Sequence, residues 1–97
     1  MSYSVKYKKV AEKKLEKMDA PVRNRIKMWI DKNLEGCENP RAKGKALEGE
    51  WEGYWRYRVG NYRLVADIQD DKIIILIINV DFTNKFLTAR FGEIFFE

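Results

Sequence analysis

The stretch Trp55-Arg56-Tyr57-Arg58-Val59-Gly60-Asn61-Tyr62-Arg63 decides the fold, because it sets three arginines and three aromatics around a two-residue turn signal. Glycine takes positive φ without steric cost and asparagine tolerates it, so Gly60-Asn61 between alternating segments predicts a tight hairpin. Val59 then pairs with Tyr62, Arg58 with Arg63, Tyr57 with Leu64 and Arg56 with Val65. Directly paired residues point the same way, and the sides alternate along each strand. One face therefore carries Trp55, Tyr57, Val59, Tyr62, Leu64 and Ala66. The other carries Tyr54, Arg56, Arg58 and Arg63.

The second face costs stability, since like charges directly opposite each other on a sheet repel. Such a cluster is more easily understood if it meets an anion, and the planar, permanently charged fork of arginine suits phosphate. The plainer alternative is an exposed strand face whose arginines lie over apolar neighbours or pair with carboxylates such as Asp67. Three arginines against one nearby carboxylate favour the phosphate reading.

Outward from the hairpin, strands are expected over about 54–59, 62–69 and 72–80, with Asp70-Asp71 as the second turn. Ile73 to Ile78 is apolar on both faces and reads as a central strand covered by helices on at least one side. Ser2 to Tyr7 alternates as a half-buried strand. Lys8 to Met18 places Ala11, Leu15 and Met18 at helical spacing. Asp19 is the expected N-cap of a second helix, with Pro21 in its first turn, an apolar stripe of Val22, Ile26, Trp29, Ile30 and Leu34, and Gly36 just past its end. The two helices form a hairpin that must bury its shared apolar face on the sheet. Cys37 to Gly53 reads as a connecting loop containing the basic run Arg41, Lys43 and Lys45, which on its own suits a solvated face. The fold class is α+β, one domain over residues 1–97, with a phenylalanine-rich tail at 81–97.

Composition narrows the function classes. The 97 residues carry 19 basic and 15 acidic side chains, a net charge of +4. This mild excess suits nucleic acid, an acidic partner or solubility. The single Cys37 allows no internal disulfide and fits a reducing compartment. With no histidine in the chain, a zinc site is not expected, and no cofactor is. The longest apolar run, Ile73 to Ile78, has six residues and cannot span a bilayer. The charged N-terminus lacks the apolar core of a signal peptide. A cytoplasmic protein without membrane contact is expected.

The order strand, helix, helix, three-stranded meander resembles the RelE/ParE toxin superfamily, in particular its RelE branch. The resemblance runs from about residue 3 to Val80. Its most specific block is Lys45-Ala46-Leu47-Glu48-Gly49, then Gly53, Trp55-Arg56, Arg58-Val59-Gly60 and Tyr62-Arg63-Leu64-Val65. It implies a ribosome-dependent endoribonuclease that cuts mRNA and inhibits translation. It further implies a cognate antitoxin that neutralises the toxin, and operator DNA bound only by the toxin–antitoxin complex. The family's phosphate-holding basic positions fall on Arg56, Arg58 and Arg63.

Cleaving RNA through its own 2′-hydroxyl needs a base, charge stabilisation and an acid. The arginines supply preorganised charge. Proton transfer needs another group in the absence of histidine, and Lys45 and Tyr54 are the candidates. Lys43, Arg41, Lys85 and Arg90 are expected to touch RNA. Lys8, Lys9, Lys13, Lys14 and Lys17 on the first helix either meet ribosomal RNA or form a solvated face.

The chain departs from the family pattern after its last strand. Thr83 stands where a basic residue is expected, with Lys85 two positions on, and the tail holds no tyrosine or histidine. Its phenylalanines, Phe82, Phe86, Phe91, Phe95 and Phe96, either close the core while Lys85 or Arg90 supplies the cation, or mark a weakened toxin. Two alternative functions follow: a ParE-like gyrase poison, or a non-catalytic homologue that binds antitoxin and co-represses its operon.

Overall fold

The computed structural model describes residues 1–82, and its helices form where apolar spacing calls for them. Helix α1 (Lys9–Glu16) buries Ala11 and Leu15, four residues apart on one face. Helix α2 (Ala20–Asn33) buries Ile26 and Ile30 at the same spacing. Asp19 holds the N-cap position in an extended conformation, but its side chain makes no capping hydrogen bond, so it ends the inter-helix turn without sealing the helix. Gly36, at φ 79°, turns the chain past α2. Its N–H donates to the Tyr3 carbonyl at 2.8 Å, which ties the helix exit to the first strand.

Strands β1 (Ser4–Tyr7), β2 (Lys45–Ala46), β3 (Trp55–Val59), β4 (Tyr62–Gln69) and β5 (Ile74–Phe82) form one sheet in the order β1-β5-β4-β3-β2. The β1–β5 pair is parallel and the others antiparallel. The expected hairpin register holds in full: Val59 opposes Tyr62, Arg58 opposes Arg63, Tyr57 opposes Leu64 and Arg56 opposes Val65. The apolar run from Ile74 to Ile78 lies in β5, an interior strand of the sheet paired on both edges.

Three details differ from the expectation. The segment read as a plain loop contains β2 and a 3₁₀ turn at Gly49–Trp51. Two residues show no periodicity, so only their pairing with Trp55 and Arg56 makes them a strand. The second meander turn takes in Ile73, at φ 49°, and β5 starts at Ile74, because Ser4 N–H donates to the Ile73 carbonyl at 3.0 Å and opens the β1–β5 ladder there. Asp81 and Phe82, assigned above to the tail, belong to β5.

The core lies between the helices and one sheet face, where Ala11, Leu15, Ile26, Ile30 and Leu34 meet Tyr57, Val59, Leu64, Ala66, Ile75, Ile77 and Val80. Each fully buried Leu or Ile contributes roughly 1.5–3 kcal/mol. Tyr57 anchors the middle: its hydroxyl donates to the Pro40 carbonyl at 2.5 Å and its ring packs 5.9 Å from that of Trp29. A register shift sets Val65 opposite Asn79 but Ala66 opposite Ile77, leaving Ile78 as the extra residue of a bulge. Among the described residues no helix is long and apolar enough to cross a membrane.

Candidate nucleic-acid interface

The face of the sheet turned from the helices is built in two cross-strand rows. In one, Arg58 opposes Arg63 and Arg63 opposes Asp81. In the other, Lys45 opposes Arg56, Arg56 opposes Val65, and Val65 opposes Asn79. Opposed residues share a face, so pairing alone gathers Lys45, Arg56, Arg58 and Arg63 on one surface. Arg58 and Lys45 are exposed and Arg56 is half-buried. Arg63, 3 % exposed, is the one charged side chain buried among the described residues.

This arrangement joins the three arginines read from the hairpin to Lys45, whose place on the face comes from the unexpected strand β2. Gly44 makes that strand possible. At φ +83° it lies against the Arg56 carbonyl and the Trp55 indole, where a Cβ would collide with both. Asp67, the expected counter-charge, instead accepts a hydrogen bond from Gln69 Nε2 at 2.9 Å.

The carboxylate beside the arginines is Asp81, which sequence reading did not single out. Lys14 Nζ on α1 donates to its Oδ1 at 2.7 Å, and Asn79 Nδ2 donates to Oδ2 at 2.9 Å. Lys14 stood among five similar lysines near the first helix, and its partner lies 67 positions away. No local signal distinguishes it. Arg25 on α2 was also missed. Its guanidinium lies against the hairpin turn, where a Cβ on Gly60 would come 2.9 Å from Nη2.

Other candidates lie elsewhere. Arg41 makes a two-pronged bond to Asp70, at 3.0 Å from each guanidinium nitrogen, and faces the Trp55 ring at 6.0 Å, so it stands apart from the arginine face. The guanidinium of Arg41, then the Tyr3 hydroxyl at 2.6 Å, hold the Asp70 carboxyl below its ordinary range. That triad pins the loop to the β4–β5 turn and to the start of β1. Lys43 is exposed, and its carbonyl accepts from Trp55 Nε1 at 2.7 Å. Tyr54 precedes β3, its ring tilted 58° against Trp51, and lines a hollow of about 250 Å³ with Arg41, Ala46, Trp55 and Ile68. It lies four residues along the chain from Arg58 and away from the hairpin tip. Lys85 and Arg90 lie outside the described residues.

Chemically, clustered guanidiniums with an exposed lysine can bind phosphate oxygens and stabilise negative charge that develops on them. A helical hairpin packed on a five-stranded sheet is the architecture of a class of small α+β toxins whose solved structures share this fold. The fold overlays the toxin–antitoxin complex RelBE2 from Mycobacterium tuberculosis with TM-score 0.77 at 27% identity, covering 84% of this chain and 99% of that one. It overlays the intact RelBE toxin–antitoxin complex of E. coli with TM-score 0.66 at 26% identity, covering 87% of this chain and 100% of that one. In sequence, the chain is 31% identical over 81 residues to the mRNA interferase toxin RelE of Escherichia coli K12, 82% of each protein. A family described as the ParE toxin of the type II toxin–antitoxin system parDE matches residues 5–83. The chain belongs to the RelE/ParE toxin superfamily.

Proposed function

We propose that this chain is an mRNA-cleaving toxin that arrests translation on the ribosome and is neutralised by a cognate antitoxin. The observation that carries the reading is the cross-strand gathering of Lys45, Arg56, Arg58 and Arg63 on the sheet face away from the core. The relative that is 31% identical is an mRNA interferase, which supports the same chemistry here. Arg58 and Arg56 meet the scissile phosphate. Arg63 supplies charge from behind them and touches RNA only when the groups around it rearrange. Lys45, exposed opposite Arg56, is the better-sited proton-transfer candidate, since Tyr54 lines the hollow beside Arg41.

In the reaction the RNA 2′-hydroxyl loses its proton to the base and attacks the adjacent phosphorus. The arginines stabilise the phosphorane charge, and the 5′-oxygen leaves with a proton from the acid. The antitoxin fits the same face through carboxylates that pair with its cations, and operator DNA is met only by the joint complex.

Inducing the chain without antitoxin tests the reading: ribosome-bound transcripts should be cut, and Arg58→Ala should abolish cutting while remaining folded. Cutting that persists in Arg58→Ala overturns it. A second reading is a ParE-like poison of gyrase, favoured by the ParE description of the matching family. DNA-damage signalling with intact transcripts identifies that case.

A further inference from the structure

We propose that Lys14 is a latent phosphate ligand of the arginine face, held in reserve by Asp81. The inference rests on reading that face as an RNA site.

The sheet edge brings Lys14 there. Strand β1 pairs with β5 only as far as Tyr7 opposite Ile77, and Lys8 N–H closes the ladder on the Ile77 carbonyl at 2.8 Å. The chain then turns into α1 while β5 runs on to Phe82, so the helix flanks the last length of that strand. Lys14 reaches round this edge to Asp81 Oδ1 at 2.7 Å. Asp81 stands directly opposite Arg63, and Asn79 holds its second oxygen. The Lys14 ammonium is therefore one carboxylate away from the arginine row.

A carboxylate among cations offers the acceptor oxygens and negative charge that a phosphodiester would bring. Asp81 neutralises Lys14 and repels an approaching polyanion. It thereby lowers the affinity of the face for RNA. Both side chains of the pair are open to water, 41 % and 36 % exposed, so solvent screens their attraction and Lys14 is easily released.

The test is binding of a fluorescent single-stranded 2′-O-methyl RNA, which cannot be cleaved, to the full chain across a salt series. A phosphate contact on a single strand adds about 0.7 to the slope of log K against log salt, so one new contact gives roughly five-fold tighter binding at 0.1 M salt. Asp81→Asn should show that gain and steeper slope, and Lys14→Met combined with Asp81→Asn should lose both. Asp81→Ser carries the same expectation if the asparagine variant does not fold. Unchanged or weaker binding by the folded Asp81 variant overturns the proposal, as does a gain that persists in full without Lys14. Arg58→Ala separates the two levels. If it binds RNA as the parent does, the RNA reading of the face falls. If it binds more weakly while Asp81→Asn gains nothing, only the role of Lys14 falls.

Discussion

Arg58 and Arg63 stand directly opposite each other across the β3–β4 hairpin, one open to water and the other 3 % exposed. Like charges at that spacing oppose folding, so their joint presence separates what the face does for stability from what it does for function.

Arg58→Ala relieves the repulsion, which is worth roughly 0.2–1 kcal/mol for an opposed pair. The midpoint of thermal unfolding should hold steady or rise slightly, while growth arrest on expression disappears. Melting curves and a growth assay read the two effects, and a large loss of stability would contradict this account of the pair.

Tyr57→Phe leaves the Pro40 carbonyl without its donor in the core, at a cost of roughly 1–2 kcal/mol read by denaturant unfolding. The parent should also weaken in alkali. Burial raises the Tyr57 hydroxyl and pushes that of Tyr7 up to about 12. Both folded values exceed the ordinary tyrosine pKa of about 10, so the unfolded chain gives up these protons first. The stabilisation is complete below about pH 10 and is lost as pH climbs through the raised folded values. Unfolding midpoints from pH 8 to 12 check the sign.

The Arg41–Asp70–Tyr3 triad predicts an acid response. Asp70 is held below its ordinary range, so its contribution is present above the usual carboxylate pKa of about 3.9 and lost as pH falls through the depressed folded value. Asp70→Asn should flatten the acid limb of the stability profile while leaving the arginine face active. Melting from pH 2 to 6 compares the two proteins.

Gly44→Ala places a Cβ against the Arg56 carbonyl at a positive φ that alanine avoids. A loss of about 1–3 kcal/mol is expected, with strand β2 detached and Lys45 displaced from Arg56. Toxicity should fall further in this variant than in Gly36→Ala, where a Cβ meets open space.

The hairpin was legible residue by residue because its register depends on a two-residue turn and a short alternation. The helices were legible because Ala11, Leu15, Ile26 and Ile30 keep helical spacing. Strand β2 was not, since Lys45-Ala46 carries no pattern apart from its partner. Nor was the bulge at Ile78, because an unbroken run of isoleucine and leucine looks the same in either register. Asp81 escaped notice for the same reason. Its side is fixed by a slip that the residues before it do not reveal, and its partner comes from the far end of the chain.

That slip reverses parity along the last strand. Before Ile78 the odd-numbered Ile75 and Ile77 enter the core, and after it the even-numbered Val80 does. Deleting that single isoleucine would remove the bulge and restore plain alternation, leaving Val80 in the interior opposite Leu64 and Asp81 on the outer side opposite Arg63. Loss of one codon at this point is thus a change the ladder can absorb, whereas an ungapped alignment with a chain that lacks the bulge would assign each later side chain to the wrong surface.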